Sequence, residues 1–416
     1  MRNWLKYTLI LFLFLVSCSA QEKNSGIQID QQVIQDKDKS YQAQASEYCQ
    51  IVLGAEQKDI YLPMLKGSRV GVITNQTGII PGLEQDTHIV DALIEEKINV
   101  IKIFAPEHGF RGTADAGEII KDGKDSKTGL PIVSLYGKNK KPTDAQIQDL
   151  DILLFDIQDV GVRFYTYIST LHYVMEAAAE NGKQVIVLDR PNPNAHYIDG
   201  PILEKQHTTF VGMHPVPIVY GMTIGEYARM INGEKWLKNG IQANLQVVKL
   251  QNYNHLTEYI LPVKPSPNLP NNQSIYLYPS LCFFEGTNVS EGRGTSQQFQ
   301  IYGSPFLKNM NFNFTPEPNE GAKSPKHQGQ ICYGEDLSNF PKLNEINLDW
   351  ILKAYKNNTH PTFFTNESGA FWLDKLAGTS DLRLQIEKGW TAEQIKAGWQ
   401  KGLKDFEKTR QKYLLY

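Results

Sequence analysis

The segment FAPEHGFRG at residues 104–112 carries three kinds of side chain that support chemistry, namely a carboxylate, an imidazole and a guanidinium. They belong to Glu107, His108 and Arg111 and follow the apolar run at residues 100–104. Ligands of open α/β sheets bind at the carboxyl ends of strands, and charged loop residues held by a rigid strand are common in active sites. We therefore predict a functional site here, in preference to a polar turn with an incidental ion pair.

Polar side chains also follow the other apolar runs in the first half of the chain. Because the carboxyl ends of parallel strands meet at one edge of a sheet, these side chains would converge on one crevice. The chain has no G-x-G-x-x-G motif and no P-loop, so we predict that it binds no nucleotide, and we predict no other cofactor. It also has no G-x-S-x-G motif, which argues against a catalytic serine of the α/β-hydrolase type. The residues concerned are Asn75, Gln76, Asp156, Gln158, Asp159, Asp189 and Arg190.

The elements that position these residues follow from the alternation of apolar and amphipathic segments. This alternation indicates a mostly parallel sheet covered by helices. Helices are expected at about residues 164–181 and from an N-cap at Thr223. The strand-like runs are VGVIT (70–74), VIKIF (100–104), ILLFD (152–156), VIVLD (185–189), VPIVY (216–220) and LQVVKL (245–250).

The residue composition changes near residue 265, where Pro265, Pro267 and Pro270 indicate an irregular connection. We predict an α/β protein with a Rossmann-like, mostly parallel sheet domain at residues 46–264. A smaller mixed α+β domain follows at residues 265–416, and the active site lies in the cleft between the two. Within the second domain, residues 276–284 are expected to form a strand or a buried loop.

The first residues have the composition of a bacterial export signal, with an apolar run too short to span a bilayer. LVSC at residues 15–18 is similar to a lipobox, in which cleavage before Cys18 leaves a lipidated cysteine. Cleavage after Ala20, giving a soluble exported protein, is the alternative. We predict a lipoprotein signal peptide at residues 1–18, a flexible polar tether at residues 19–45, and a protein held in the cell envelope, facing the periplasm or the exterior, only through its lipid.

Charge and cysteine usage exclude several classes of partner. The net charge is −3 and the basic residues are scattered, so nothing indicates nucleic-acid binding. The four cysteines form no C-x-x-C pair, which argues against a thiolate metal site. A metal-dependent hydrolase or esterase built on residues 107, 108, 115, 156, 159 and 172 is a rival hypothesis, but these residues lack the tight spacing of metal ligands. We predict no metal.

Five motifs in fixed order resemble the bacterial exo-β-N-acetylmuramidase family over roughly residues 50–416. They are the segment at 104–112, GVITNQTG from Gly71, DIQDVGVRFYTYIST from Asp156, LDRPNP from Leu188 and EGTNVSEGRG from Glu285. The resemblance implies a glycoside hydrolase that releases N-acetylmuramic acid from the non-reducing ends of peptidoglycan fragments, in cell-wall turnover or recycling. The main departure from the family is the loop at residues 311–330.

Glycoside cleavage needs an acid to protonate the leaving oxygen and a second group. Glu107, the glutamate that the resemblance implicates in catalysis, is the candidate acid, because partial burial would favour its proton-donating form. His108 would orient it or bind substrate. The second group stays open among Asp156, which we place first, Asp159, Glu285, Glu291 and the substrate's own N-acetyl group.

Muramic acid bears a lactyl carboxylate, for which an arginine fork is the expected partner. Aromatic rings such as Tyr165 would contact the sugar face. A non-catalytic lipoprotein that binds cell-wall sugars in the same cleft is the other rival hypothesis. The predicted substrate-binding residues are Asn75, Gln76, Arg111, Gln158, Asp159, Arg163, Tyr165, Arg190, Glu285, Asn288, Glu291 and Arg293.

Overall fold

The first half of the chain, taken as residues 50–264, forms a seven-stranded, mostly parallel sheet in the computed structural model, and residues 265–416 are called the second half. The structure describes residues 50–107, 109–110, 122–137, 139–367 and 369–416. In chain order the strands are β1 (Val70–Thr74), β2 (Ile79–Ile80), β3 (Thr87–His88), β4 (Val100–Ala105), β5 (Gly123–Lys124), β6 (Pro131–Ser134), β7 (Ile152–Asp156), β8 (Gln184–Leu188), β9 (Asn244–Val248), β10 (Ile301–Ser304), β11 (Phe312–Phe314), β12 (Cys332–Asp336), β13 (Asn366–Glu367) and β14 (Ala370–Phe371).

The order of the strands in the large sheet is β5-β6-β4-β1-β7-β8-β9. All neighbours pair in parallel except β5 and β6, which are antiparallel. Counting only the parallel strands in chain order gives 3-2-1-4-5-6, the doubly wound order, whose switch point lies between β1 and β7. In this register Thr74 lies opposite Asp156, so the polar residues that follow these two strands start at the same level.

Helices cover the sheet and continue through the second half of the chain. They are α1 (Lys58–Leu65), α2 (Ile89–Glu95), α3 (Asp144–Ile147), α4 (Tyr167–Glu180), α5 (Ile224–Gly233), α6 (Asn272–Leu281), α7 (Asp349–Asn357), α8 (Trp372–Ala377), α9 (Asp381–Glu387) and α10 (Ala392–Arg410). The two long helices expected in the first domain, α4 and α5, are confirmed. Thr223 caps α5, because its side chain accepts a hydrogen bond from the backbone N–H of Glu226.

Alternate residues of the strands pack into two separate hydrophobic clusters. In β7, Leu153 and Phe155 belong to the cluster that includes α4, whereas Ile152 and Leu154 belong to the cluster that includes α2. This two-residue period explains why the central strands are apolar throughout, since both of their faces are buried. The first cluster continues without a break into the second half of the chain, so that half packs on the α4 side of the sheet.

Two sequence assignments differ from the structure. Residues 276–284, expected as a strand or buried loop, are helical, because Asn271 caps α6 and a 3₁₀ turn at Cys282–Gly286 continues it. Residues 216–220 contribute no strand to the large sheet; Val219 makes only isolated bridges, to Val162 and Asp199. Prolines at 215 and 217 lack the N–H groups that a regular ladder requires.

The second half contains a three-stranded antiparallel sheet in the order β10-β12-β11, together with helices α6 to α10. A large parallel sheet followed by this smaller mixed region confirms the predicted fold class. Residues Ile51–Tyr416 form one compact unit, and the boundary near residue 265 stays a prediction. In the part of the chain that the structure describes, no helix combines the length and apolar character needed to cross a bilayer.

Candidate active site

A cleft of about 750 Å³ opens beside the carboxyl end of β4. Its walls come from both halves of the chain, as the predicted location of the active site requires. The first half contributes Glu107, Tyr136 and Lys140, and the second half contributes Glu285, Glu291 and Arg293. Five residues predicted for the site line this cleft, namely Glu107, Tyr165, Glu285, Glu291 and Arg293.

Glu107 presents its carboxyl group to the cleft and is held by two hydroxyl groups. It follows β4 by two residues and is partly exposed. The hydroxyl of Thr166, at the start of α4, donates a hydrogen bond of 2.7 Å to Oε2 of Glu107. Tyr136 also hydrogen-bonds to it; burial, and next the charge of Glu107, raise the pKa of the Tyr136 hydroxyl, which therefore remains a donor. The carboxyl group is thus oriented and accessible.

A second site of acidic side chains in the cleft consists of two glutamates paired with Arg293. Its guanidinium lies 2.6 Å from Oε1 of Glu285 and 3.1 Å from Oε1 of Glu291. Burial opposes the charged form of Arg293, but the two carboxylates outweigh it and raise the pKa of the guanidinium. Lys326 donates to the carbonyls of Phe284 and Val289, at 2.9 and 2.7 Å, and approaches Glu291 at 3.5 Å. The cleft therefore holds an oriented, charge-balanced cluster in addition to Glu107.

Asp156, the first choice for the second catalytic group, does not line the cleft. Its side chain is fully buried, and both of its oxygens accept hydrogen bonds from Arg190, at 2.6 and 2.9 Å. Arg190 also donates to the carbonyl of Ile79 at 3.0 Å. We therefore revise the prediction for both residues: they form an internal ion pair at the switch point, with no surface left for a sugar.

The amide side chains that follow β1 and β7 are also turned inward. Asn75 donates to the hydroxyl of Tyr167 at 2.8 Å. Gln76 donates to the carbonyl of Pro265 at 3.2 Å, and Gln158 to that of Pro191 at 2.6 Å. These bonds tie the strand ends to neighbouring loops and none of the three residues reaches the cleft. The sequence placed them at the correct edge of the sheet but could not show which way they point.

Asp159, Arg163 and Asn288 are engaged away from the cleft as well. Asp159 accepts hydrogen bonds from the hydroxyl of Tyr220 and from the N–H of Gly161; burial raises the pKa of its carboxyl group to about 6 against these bonds. Asn288 donates to the carbonyl of Thr362 at 2.8 Å. The structure thus uses these polar groups to join loops.

Arg163 binds no carboxylate in the part of the chain that the structure describes and instead donates to four carbonyl groups. Nη1 reaches Pro201 and Val216, and Nη2 reaches Leu376 and Ala377, at 2.5 to 3.2 Å. Burial lowers the pKa of Arg163 to about 9. Its position joins α8, which contributes to the wall of the cleft, to the first half of the chain.

Three predicted residues cannot be compared with the structure. His108, Arg111 and Cys18 lie outside the described residues. Their predicted roles stay predictions. Among the residues that are described, no three histidine, cysteine, aspartate or glutamate side chains are grouped so that they could hold a metal ion.

Several residues of the cleft were not identified from the sequence. Thr166 lies within the motif that begins at Asp156, and the hydroxyl at the start of a helix that follows a site motif was a usable signal. Tyr136, Phe210, Trp372 and Lys375 also line the cleft. They come from three separate segments with no shared motif, since Trp372 and Lys375 both belong to α8, so only the folded chain brings them together.

Comparisons with known proteins agree with this architecture. The protein-family model for exo-beta-N-acetylmuramidase NamZ, N-terminal, matches residues 70–273, and the family model for the C-terminal part matches residues 276–416. A curated protein of Bacillus subtilis (strain 168), peptidoglycan beta-N-acetylmuramidase NamZ, is 43% identical over 376 residues, which cover 86% of this chain and 89% of that protein.

Two crystal structures of DUF1343 family proteins from Bacteroides fragilis NCTC 9343 are also similar. One has a TM-score of 0.80 at 45% identity, and the other a TM-score of 0.76 at 30% identity. Each match covers 88% of this chain and 99% of the other. The N-terminal and C-terminal family models together span the large sheet, the cleft and the second half of the chain. The chain therefore belongs to the exo-β-N-acetylmuramidase family.

Proposed function

We propose that this protein is an exo-acting glycosidase that releases N-acetylmuramic acid from the non-reducing ends of peptidoglycan fragments. The observation that carries the proposal is the carboxyl group of Glu107, which two hydroxyl groups orient toward the cleft. The curated relative from Bacillus subtilis, whose name specifies peptidoglycan and β-N-acetylmuramidase activity, supports the choice of substrate. The reaction belongs to cell-wall turnover or recycling.

Glu107 acts as the acid that protonates the leaving oxygen. The second role falls to Glu285 in preference to Glu291, because its side chain is 22% exposed and that of Glu291 only 3% exposed. Arg293 orients Glu285 through a charge-assisted hydrogen bond. Glu285 is then placed to activate water, to attack the sugar, or to support participation by the substrate's own N-acetyl group.

The test compares wild-type protein with Glu107→Gln on a chromogenic N-acetylmuramide and on its glucosaminide analogue. We expect the substitution to lower kcat for the muramide by about 100- to 10,000-fold, as for loss of a general acid, while binding of N-acetylmuramic acid persists. Glu345→Gln is the matched control, because that side chain is 65% exposed and does not line the cleft.

Two outcomes would contradict the proposal. Equal product from wild-type and Glu107→Gln protein would remove Glu107 from the acid role. No turnover of either substrate by wild-type protein, with N-acetylmuramic acid still bound, would favour the non-catalytic sugar-binding alternative.

The cellular location belongs to the same proposal and is supported by the sequence of the first residues. We infer export and lipid anchoring through Cys18 in the bacterial envelope, with residues 19–45 as a tether. Cys18→Ala should move the full-length protein from the membrane fraction to the soluble fraction, whereas Cys49→Ala, the matched control, should not. Retention of Cys18→Ala in the membrane fraction would contradict anchoring at this residue.

A further inference from the structure

The cationic side chains of the cleft differ in how far their charges are already used. Arg293 is shared between Glu285 and Glu291, and Lys326 donates to two backbone carbonyls and approaches Glu291. Both are committed to the protein itself. An attraction for an anionic ligand therefore requires other cations of the same walls, and among the described residues these are Lys140 and Lys375.

Lys140 lies over an aromatic ring in the wall of the cleft. Its ammonium is 4.2 Å from the centroid of the Phe210 ring. That ring stacks on Tyr173 at 6.2 Å with an interplanar angle of 10°, so it has a fixed orientation. The next residue, Lys141, forms ion pairs with Glu176 and Glu180, whereas no ion pair joins Lys140 to a carboxylate of the described residues.

Lys375 is arranged in the same way on the wall formed by the second half. Its ammonium lies 5.0 Å from the centroid of the Trp372 ring, and both side chains belong to α8. The end of this helix is held by Arg163, which donates to the carbonyls of Leu376 and Ala377. Within the described ranges Lys375, like Lys140, has no carboxylate partner in an ion pair.

These two ammonium groups share a chemistry that indicates an anionic ligand. A cation held over an aromatic face keeps its hydrogen-bond donors free for a carboxylate, and it loses less side-chain freedom when it binds. The arginines expected to serve this purpose are engaged elsewhere: Arg190 binds Asp156, Arg163 binds carbonyls and Arg293 binds two glutamates. The fourth, Arg111, lies outside the described residues.

The geometry points to Lys140 and Lys375 as the residues that recognise the carboxylate of the substrate and so distinguish an acidic amino sugar from a neutral one. This inference rests on the proposed function, because it assigns a specificity determinant to the same cleft. It leaves the reaction itself to Glu107 and Glu285. Selectivity and turnover therefore depend on separate groups and can be measured separately.

The first experiment measures kcat/KM for a chromogenic N-acetylmuramide with a free lactyl carboxylate and for its methyl ester. We expect wild-type protein to prefer the acid, and Lys140→Met with Lys375→Met to reduce that preference about ten- to a hundredfold, the value of a charge-assisted contact. The kcat/KM of the ester is the internal reference, so a loss shared by acid and ester leaves the preference unchanged and counts against the assignment. Lys401→Met is the matched control, because it removes the same charge from a side chain that is 91% exposed and does not line the cleft.

A second experiment keeps the inference separate from catalysis. Calorimetry on the Glu107→Gln protein compares the binding of N-acetylmuramic acid with that of N-acetylglucosamine, with and without the two lysine substitutions. The ratio of the Kd for N-acetylglucosamine to the Kd for N-acetylmuramic acid should fall about ten- to a hundredfold in the double variant. Each single variant should lower this ratio by part of that factor. Added salt should lower the ratio for the protein with both lysines.

The outcomes separate the two proposals. An unchanged ratio in both experiments would overturn the assignment to Lys140 and Lys375, even if wild-type protein releases muramic acid. If wild-type protein turns over neither substrate, the proposed function fails, but a binding preference that disappears in the double variant would still support the carboxylate site.

Discussion

Two carboxylates that the sequence places in similar positions have very different surroundings in the structure. Asp156 is sealed against Arg190, and Glu285 is partly exposed in the cleft and bound by Arg293. A fully buried carboxylate with both oxygens occupied cannot approach a sugar without breaking its pair. At the scale of the residue, the partner of a carboxylate therefore decides its role more than its place after a strand.

Asp156→Asn and Glu285→Gln should give opposite results. The first should lower the free energy of unfolding by about 3–5 kcal/mol, because Arg190 is left as a buried charge without its partner. The second should lower kcat about 100-fold and change the free energy of unfolding by no more than about 1 kcal/mol. Urea denaturation and turnover of the muramide measure the two effects. A stable but inactive Asp156→Asn protein would return Asp156 to the catalytic group.

The sequence predicted which strand ends carry polar groups, and β1, β4, β7 and β8 all end beside such residues. It could not predict which of these groups face the cleft. Arg190 reaches from the end of β8 to Asp156 at the end of β7, and that contact depends on the order of strands across the sheet. Only the topology reveals it, because the two residues are far apart in sequence.

At the scale of elements, the position of α8 depends on a close fit between its end and Arg163. Gly378, which ends the helix, has φ of +72°, and a Cβ there would lie 2.6 Å from Nη2 of Arg163. The helix carries Trp372 and Lys375 into the cleft, so this junction couples backbone conformation to the shape of the site.

Gly378→Ala should cost more than a comparable change at Gly389, which is the matched control. Gly389 has φ of +75° but open space around its Cβ position, so alanine there should lower the free energy of unfolding by only about 1 kcal/mol. At position 378 the clash with Arg163 should raise the loss to about 3 kcal/mol and increase KM. Thermal unfolding and steady-state kinetics check both effects. Equal losses at the two positions would show that Arg163 adapts freely.

Helices whose apolar face repeats over several turns were predictable from the sequence, and elements without such a repeat were not. The helix α4 follows from one apolar face, and α5 from the same pattern with a cap at Thr223. The helix α6 was missed, because it is buried on all sides from Ser274 to Leu281 and contains Pro279, so no amphipathic period distinguishes it from a buried strand. Burial on every side follows from the second half packing over it.

At the scale of the whole molecule, the last residues return to the first half of the chain. Arg229 donates to the carbonyls of Tyr413 and Leu414, at 2.8 and 3.2 Å. The hydroxyl of Tyr416 donates to Oδ2 of Asp189 at 2.7 Å, beside the end of β8. Burial raises the pKa of Asp189 to about 7, against hydrogen bonds that include that of Tyr416.

This contact should make the stability of a tail variant depend on pH. An acid with a raised pKa stabilises the folded state most at low pH, and this contribution is lost as pH rises from about 4 through 7. Because the Tyr416 hydroxyl donates to the ionised form, Tyr416→Phe should cost about 1 kcal/mol at pH 5 and about 2–3 kcal/mol at pH 8.

Tyr413→Phe is the matched control, because it removes a hydroxyl that binds Glu234, a carboxylate whose pKa the bond to Tyr413 lowers. Its cost should be the same at pH 5 and pH 8. Urea denaturation at both pH values gives the comparison. A cost for Tyr416→Phe that does not change with pH would mean that Asp189 keeps one protonation state over this range.

The sealed pair of Asp156 and Arg190 has a consequence for how this scaffold acquires new activities. The space between β1 and β7 is the place where a doubly wound sheet ordinarily receives its ligand, and here buried side chains fill it. The acidic side chains that line the cleft lie elsewhere, after the end of β4 and in loops of the second half. Substitutions in those loops, in evolution or by design, can therefore change which sugars are accepted without altering the buried centre of the sheet.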